Sequence, residues 1–387
     1  MKLFSGFKVI VATALFLASA ANARDSSPPQ PPAAEDVPIA LLVDASSGQV
    51  LHERNADRRF VPASITKTMT AFVAFELMEE GKLDPRQTFT VRPATFANWH
   101  RKGSTMFLPQ DARVTVDDLL TAIMNVSAND GAIVLAEGAA GSVDEWVKLM
   151  NQKARELGMS NSHFGTPNGW MDDGHTFVSA RDLVKLAMAM QTRHPQKYAR
   201  YIGHAGFTYG GITQSNHDPL IGRVPGAEGI KTGFTNEAGM GYLGSVKRNG
   251  HRLIMVVAGV DRAQIRNRAA REYVEWGFSN FDARLLFPEG AVVGIARVQG
   301  GSTRGVELRT RGPVFVSVPK GTAPEISMRA LYHGPLRAPI QGDQPVAELE
   351  LKVAGMPTSY IPLLAAEPVA KAGFLARVWN GIAGWIS

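Results

Sequence analysis

Ser64-Ile65-Thr66-Lys67, Ser127-Ala128-Asn129 and Lys231-Thr232-Gly233 follow one another along the chain, and each reads as a different kind of local structure. The first comes just after Pro62 and opens a stretch in which Ile65, Met69, Phe72, Val73 and Leu77 recur at helical spacing, with Gly81 as a stop. A serine at such a helix start has Lys67 one turn along on the same face. The second runs into Asp130-Gly131 and on its own reads as a cap or turn. The third lies on or at the start of a strand, because Gly229 to Val246, Asn249-Gly250 and His251 to Val260 read as a two-stranded hairpin with a type I′ turn. A fold that uses all three has to bring a helix start, a turn and a strand edge to one point.

Around these motifs, Ile39 to Asp57 reads as a hairpin turning at Ser46-Ser47-Gly48. Asp117 to Glu137, Val143 to Leu157 and Ser179 to Met190 carry helical patterns and form a largely helical insertion. Gln264 to Phe281 is a further helix, carrying Arg266. Beyond Pro288 the pattern changes to short β-type runs, Ala291 to Val298, Val306 to Thr310, Val314 to Val318 and Val346 to Val353, set between Gly and Pro. The expected division is a leader at 1–23, a linker at 24–37, a main domain at 38–283, a small β domain at 287–360 and an amphipathic helix at 366–387.

The leader is read from Lys2 and Lys8, the apolar run Val9 to Ala20 and the small-x-small site Ala21-Asn22-Ala23, a pattern of secretory export. Ser26 to Pro38 is a Pro-, Ser- and Ala-rich tether. At the other end Phe374, Leu375, Val378, Trp379, Ile382, Trp385 and Ile386 share one side of a helical wheel. Two Trp on that stripe suit a membrane interface, while Arg377 and Asn380 oppose spanning; a helix docked on its own domain is the other reading. The formal charge of +6 falls to +4 without Lys2 and Lys8, which fits an anionic wall or membrane surface. No basic run with interleaved aromatics points to nucleic acid. The absence of Cys excludes thiol catalysis, and nine scattered His without ligand spacing give no metal site and imply no cofactor.

A serine hydroxyl is a poor nucleophile at neutral pH and needs a neighbouring base, which a lysine supplies only when held neutral. Burial and a second cation both push Lys67 that way, and Lys231 is the candidate cation. Ser127 can pass a proton, Asn129 can hold Lys67 and a peptide backbone, and Lys231 and Thr232 can hold a carboxylate beside the room left by Gly233. One S-x-x-K means little by itself, and Ser317-Val318-Pro319-Lys320 is a second copy, assigned to a surface strand or turn.

Taken in order, the three motifs resemble the S-x-x-K, S-x-N and K-T-G set of penicillin-binding proteins and class A β-lactamases. The chain closely resembles the low-molecular-mass penicillin-binding proteins that are D-alanyl-D-alanine carboxypeptidases, the family of penicillin-binding protein 5. The resemblance covers nearly the whole mature chain. It includes Arg59 to Lys67, Gly103-Ser104-Thr105-Met106-Phe107-Leu108, Asn129-Asp130-Gly131, Gly229 to Gly233 and Trp276-Gly277-Phe278. It implies an α/β (α+β) catalytic domain of the penicillin-binding/β-lactamase kind, with an antiparallel sheet and a helical subdomain, plus a small all-β C-terminal domain. By that resemblance Ser64 is acylated, Lys67 is its base, Ser127 and Asn129 are the relay pair, and Lys231, Thr232 and Arg266 bind the terminal carboxylate. Backbone N–H groups of Ser64 and Phe234 form the oxyanion hole, and His175 lines the outer groove or is simply a loop residue. Phe234 is a departure, since the best-known members carry His there, and it bears on turnover after acylation.

The activity so implied removes the terminal D-Ala from peptidoglycan stem pentapeptides, with β-lactams as covalent inhibitors, in the periplasm at the outer face of the inner membrane. The tail helix is the expected contact with that membrane surface. A DD-endopeptidase uses the same site on cross-links. A β-lactamase adds an E-x-x-L-N string between the second and third motifs, and none is present. A wall-bound structural protein with an idle site is the remaining alternative.

Overall fold

The computed structural model describes residues 30–32 and 36–373. The expected leader, most of the tether and the tail from 374 onward lie outside them. The chain divides into two compact units, one built from 31–43 with 51–277 and the other from 44–50 with 278 onward.

In the larger unit β1 (Ile39–Asp44) and β2 (Val50–Arg54) precede a 3-10 turn at Ala63–Thr66 that runs into α1 (Lys67–Glu79). The helical region follows, with β3 (Thr88–Thr90), α2 (Pro93–Trp99), β4 (Arg113–Thr115), α3 (Val116–Asn125), α4 (Asn129–Ala140), α5 (Val143–Glu156), α6 (Ala180–Arg193) and α7 (Pro195–Tyr201). The short strands β5 (Gly206–Tyr209) and β6 (Ile212–Ser215) lead to β7 (Ala227–Thr235), β8 (Gly239–Arg248), β9 (His251–Val260) and α8 (Ala263–Asn280). The main sheet has five strands in the order β2-β1-β9-β8-β7, with β7, β8 and β9 antiparallel and β7 at the edge.

Local chemistry explains where the helices start. Thr115, Ser142 and Ser179 each accept a hydrogen bond from the backbone N–H three residues on and so cap α3, α5 and α6. Every side chain of α1 from Lys67 to Phe75 is buried, Lys67, Thr68 and Thr70 included, so this helix is covered on all sides and runs through the middle of the unit, against α3, α5, α6 and β7. On α8, Gly277 lies so close to the sheet that a Cβ would meet Leu253 Cδ1 at 2.7 Å and Leu42 Cδ2 at 2.9 Å.

Two expectations for the larger unit need correction. The stretch Asp117 to Glu137 is not one helix: α3 ends at Asn125 and α4 begins at Asn129, with Ser127 between them at φ +64°. Gly229 to Val246 is not one strand but β7 and β8, so the expected hairpin is a three-stranded meander. Its second turn is the expected one, with Asn249 at φ +51° and Gly250 at φ +82°.

The smaller unit pairs β10 (Phe281–Phe287) antiparallel with β13 (Val314–Pro319). Beside them β11 (Val292–Gln299), β12 (Gly305–Thr310), β14 (Ile326–Leu331), β15 (Leu336–Arg337), β16 (Pro345–Val353) and β17 (Ser359–Ala365) form a six-stranded sheet in the order β14-β16-β17-β12-β11-β15. Leu308, Val316, Leu351 and Leu363 lie in its core. These strands reach beyond the expected 287–360 at both ends. Ser317 is buried in β13, where its hydroxyl donates to Asp44 Oδ2 at 2.7 Å and its N–H to Gln49 Oε1 at 2.7 Å. The second S-x-x-K therefore starts in a buried strand rather than on a surface. The expected tail helix does not begin at 366–373: those residues are not helical, and Val369 and Lys371 form isolated bridges with Ile340 and Gly301. Among the described residues no helix is long and apolar enough to cross a membrane.

Candidate active site

The turn that holds Ser64 is gripped from two sides. Gly233 on β7 comes so close that a Cβ there would lie 2.5 Å from the carbonyl oxygen of Pro62 and 3.3 Å from Ile65 N. Gly169, at φ +70°, would place a Cβ 1.9 Å from the carbonyl oxygen of Ala63. Ala63 itself sits at φ +48°, a strained conformation for a residue with a side chain, immediately before the serine. The room at Gly233 was expected to serve a substrate; it also serves this approach of strand to turn.

Lys67, fully buried, carries three close partners. Its Nζ lies 2.8 Å from Ser64 Oγ, 2.7 Å from Asn129 Oδ1 and 2.6 Å from the backbone oxygen of Asn168. Burial holds its ammonium well below the usual lysine range and the nearby Lys231 charge adds to this, against an opposing pull from Asp130. A neutral amine has two N–H groups and one lone pair. Asn129 Oδ1 and Asn168 O can accept the two N–H groups, which leaves the lone pair for the hydroxyl proton of Ser64.

The second motif is presented by the break between α3 and α4. Asn129 is fixed by its own N–H to Ser104 O at 2.8 Å and by Nδ2 to Lys102 O at 3.0 Å. Asp130, which sequence reading passes over as a turn residue, is buried and accepts from the N–H groups of Met106 at 3.0 Å, Leu108 at 3.1 Å and Gly131 at 2.9 Å. It ties the Gly103–Leu108 segment to the second motif, and its burial raises its carboxyl above the ordinary value.

On the third motif, Lys231 is buried and donates to Thr232 O at 3.0 Å. Burial lowers its pKa to about 7; Asp218 opposes that shift and Arg266 reinforces it. Asp218 was not singled out from sequence. Its Oδ1 accepts from Leu220 N at 2.8 Å, Ile221 N at 3.1 Å and Tyr242 Oη at 3.2 Å, and its Oδ2 has no hydrogen-bond partner among the described residues. Arg266 on α8 is 7% exposed, and its guanidinium donates to Asn267 Oδ1.

Ser64, Ser127, Asn129, Thr232, Gly233, Phe234 and Arg266 line one cavity of about 510 Å³. Trp170, Met171 and His217, none of them singled out from sequence, line it too. Phe234 is 53% exposed at its mouth. Lys67 and Lys231 are not in the lining but buried behind it, and the exposed His175 is not part of it. Among the described residues no group of three or more His, Asp or Glu could hold a metal ion.

The family model described as D-alanyl-D-alanine carboxypeptidase matches residues 26–262, and that of the penicillin-binding protein 5 C-terminal domain matches residues 281–371. The D-alanyl-D-alanine carboxypeptidase DacD of Escherichia coli is 32% identical over 380 residues, 96% of this chain and 97% of the relative. The crystal structure of penicillin binding protein 5 from Haemophilus influenzae matches with a TM-score of 0.71 at 30% identity, covering 89% of this chain and 99% of that one. Penicillin-binding protein D2 from Listeria monocytogenes, in its ampicillin-bound form, matches with a TM-score of 0.58 at 29% identity over 64% of this chain and 100% of its own. With the peptidase model matching more than half of its length and such a relative matching nearly all of it, the chain belongs to the serine-type D-alanyl-D-alanine carboxypeptidases of the penicillin-binding protein 5 kind.

Proposed function

We propose that this carboxypeptidase removes the terminal D-Ala from peptidoglycan stem pentapeptides through an acyl-enzyme on Ser64. The Lys67 amine takes the hydroxyl proton as Ser64 Oγ attacks the carbonyl carbon of the penultimate D-Ala, a base contribution of about 10²- to 10⁴-fold. The N–H groups of Ser64 and Phe234 receive the oxyanion, each donor being worth about 10²- to 10³-fold. Phe234 serves as well as His in that role, because the backbone does the work. Collapse of the tetrahedral intermediate breaks the C–N bond, and the proton returns from Lys67 through Ser127 to the departing amine. Water then attacks the ester by the same route in reverse and frees Ser64.

Thr232 and Arg266, with the Lys231 charge behind them, hold the carboxylate of the leaving D-Ala, and Asn129 holds the donor peptide. The observation that carries this reading is the 2.8 Å contact of Ser64 Oγ with an amine buried away from water. A β-lactam presents the same acyl group and carboxylate and acylates Ser64, in keeping with the ampicillin-bound relative. Export by the leader at 1–23 and attachment through the tail place the enzyme at the outer face of the inner membrane. The test is intact mass after incubation with benzylpenicillin: one adduct forms on the wild type and none on Ser64→Ala, and an adduct on that variant overturns the assignment.

A further inference from the structure

Beside the catalytic cleft, the loop after α2 runs Trp99-His100-Arg101-Lys102-Gly103. Lys102 Nζ lies 4.9 Å from the centre of the Trp99 ring and 5.2 Å from that of Trp170, and the two indoles meet edge to face at 5.7 Å. Trp170 and Gly103 both line the cavity. Gly103, at φ +67°, is pressed so close that a Cβ would lie 2.8 Å from both Asn129 Nδ2 and Trp170 Cζ3. Lys102 is exposed, and among the described residues no carboxylate lies within ion-pair reach of it. An ammonium held on aromatic faces keeps its position without being neutralised, so it remains available to an anion.

We propose that Lys102, seated on Trp99 and Trp170 at the cavity rim, binds a carboxylate in the acyl-donor part of the substrate peptide. This rests on the carboxypeptidase reading above. Arg266 and Thr232, on α8 and β7, take the carboxylate of the leaving residue, so the donor segment extends away from them. Asn129, which holds the donor peptide, forms part of the lining there, next to Trp170 and Gly103 of the Lys102 loop. Lys102 thus selects among donor peptides by charge, while the chemistry at Ser64 is common to all of them.

The probes are two synthetic peptides, Nα-acetyl-lysyl-D-Ala-D-Ala acylated on the lysine Nε with either an acetyl or a succinyl group. They differ in one donor-side carboxylate. The wild type is expected to prefer the succinyl peptide by about 2- to 5-fold in kcat/KM at low ionic strength, the range of an exposed ion pair. That ratio falls toward one in 1 M salt, where the screening length is about 3 Å. It falls to about one in Lys102→Met and inverts in Lys102→Glu, readouts that a loss of stability alone does not move because each ratio is taken within one protein. A wild type that turns over both peptides without preference, or a Lys102→Met that keeps the preference, overturns the inference and leaves the carboxypeptidase reading standing. A wild type that cleaves neither peptide and takes no penicillin label overturns both.

Discussion

Replacing Gly233 by Ala tests whether the approach of β7 to the nucleophile turn sets the acylation rate. The added Cβ would stand 2.5 Å from Pro62 O, a separation that real Cβ atoms do not adopt. Reaching ordinary contact requires the carbonyl or the strand to retreat by about 0.9 to 1.5 Å, a local overpacking worth about 1–3 kcal/mol. Pro62 O also accepts the N–H of Ile65 at 3.1 Å, which closes the turn that presents Ser64, so a retreat moves the nucleophile with it. A misplacement of about 1 Å costs about 10²-fold where reacting atoms have to be aligned, so acylation should slow by about 10- to 10²-fold. The second-order labelling rate with a fluorescent penicillin measures this. The thermal unfolding midpoint should fall by about 2–12 °C for a domain of this size, and far-UV circular dichroism should remain that of a folded protein. A folded Gly233→Ala variant that is labelled at the wild-type rate would show that this clearance has no part in placing Ser64.

Because Lys231 is lowered to about 7 in the free enzyme, kcat/KM for a peptide with a free terminal carboxylate should fall as pH rises above about 7, mainly through KM. Asp218→Asn removes the carboxylate that opposes this shift and should move the fall to lower pH; an unmoved profile would refute the coupling. Glu76 is lowered to about 2, first by its hydrogen bond to His194 and next by Lys153, against the cost of burial. A depressed carboxyl stabilises fully above its unfolded value and loses that contribution as pH falls through the folded one. Glu76→Gln should therefore cost about 3 kcal/mol near neutral pH, with the difference from wild type fading between about pH 4.5 and 2 in acid titrations of unfolding. Deleting residues 374–387 keeps the bridges at Val369 and Lys371, and should move the protein from the membrane to the soluble fraction; retention on membranes would refute the role of the tail.

Much of the fold was legible because it rests on local signals. Ser142 and Ser179 mark their helix starts, Asn249-Gly250 marks its turn, and the helix expected at Gln264 to Phe281 is found at Ala263–Asn280. The break at Val126–Ala128 was only partly legible: Ser127, Asn129 and Asp130 read locally as a cap or turn, but the apolar pattern on either side carried a helix across them, and no Gly or Pro marks the positive φ at Ser127 itself. Asn168 was equally hidden: it holds Lys67 through a backbone oxygen, which any residue type supplies. Asp130 read as a turn residue and Asp218 went unnoticed because their partners, Met106, Leu108 and Tyr242, are far away in sequence or on another element.

The two copies of S-x-x-K show why a motif acquires chemistry only through the backbone that carries it. In Ser64-Ile65-Thr66-Lys67 the backbone is a 3-10 turn entering a helix, where residues three apart lie on one side, and the two reactive atoms come within 2.8 Å. In Ser317-Val318-Pro319-Lys320 it is the end of a strand, where an odd separation sends side chains to opposite faces. The Ser317 hydroxyl is already engaged by Asp44, and Lys320 is exposed, with its Nζ on Ser279 O at 3.3 Å. Only the first copy joins proximity to burial, and burial is available there because α1 runs through the core with side chains packed on every face, so that the position one turn after Ser64 has no route to solvent. Lys67 is therefore held neutral, and so able to take a proton, by the same packing that makes α1 the central helix, and a change that opened that packing to water would raise its pKa and silence Ser64 without touching either residue.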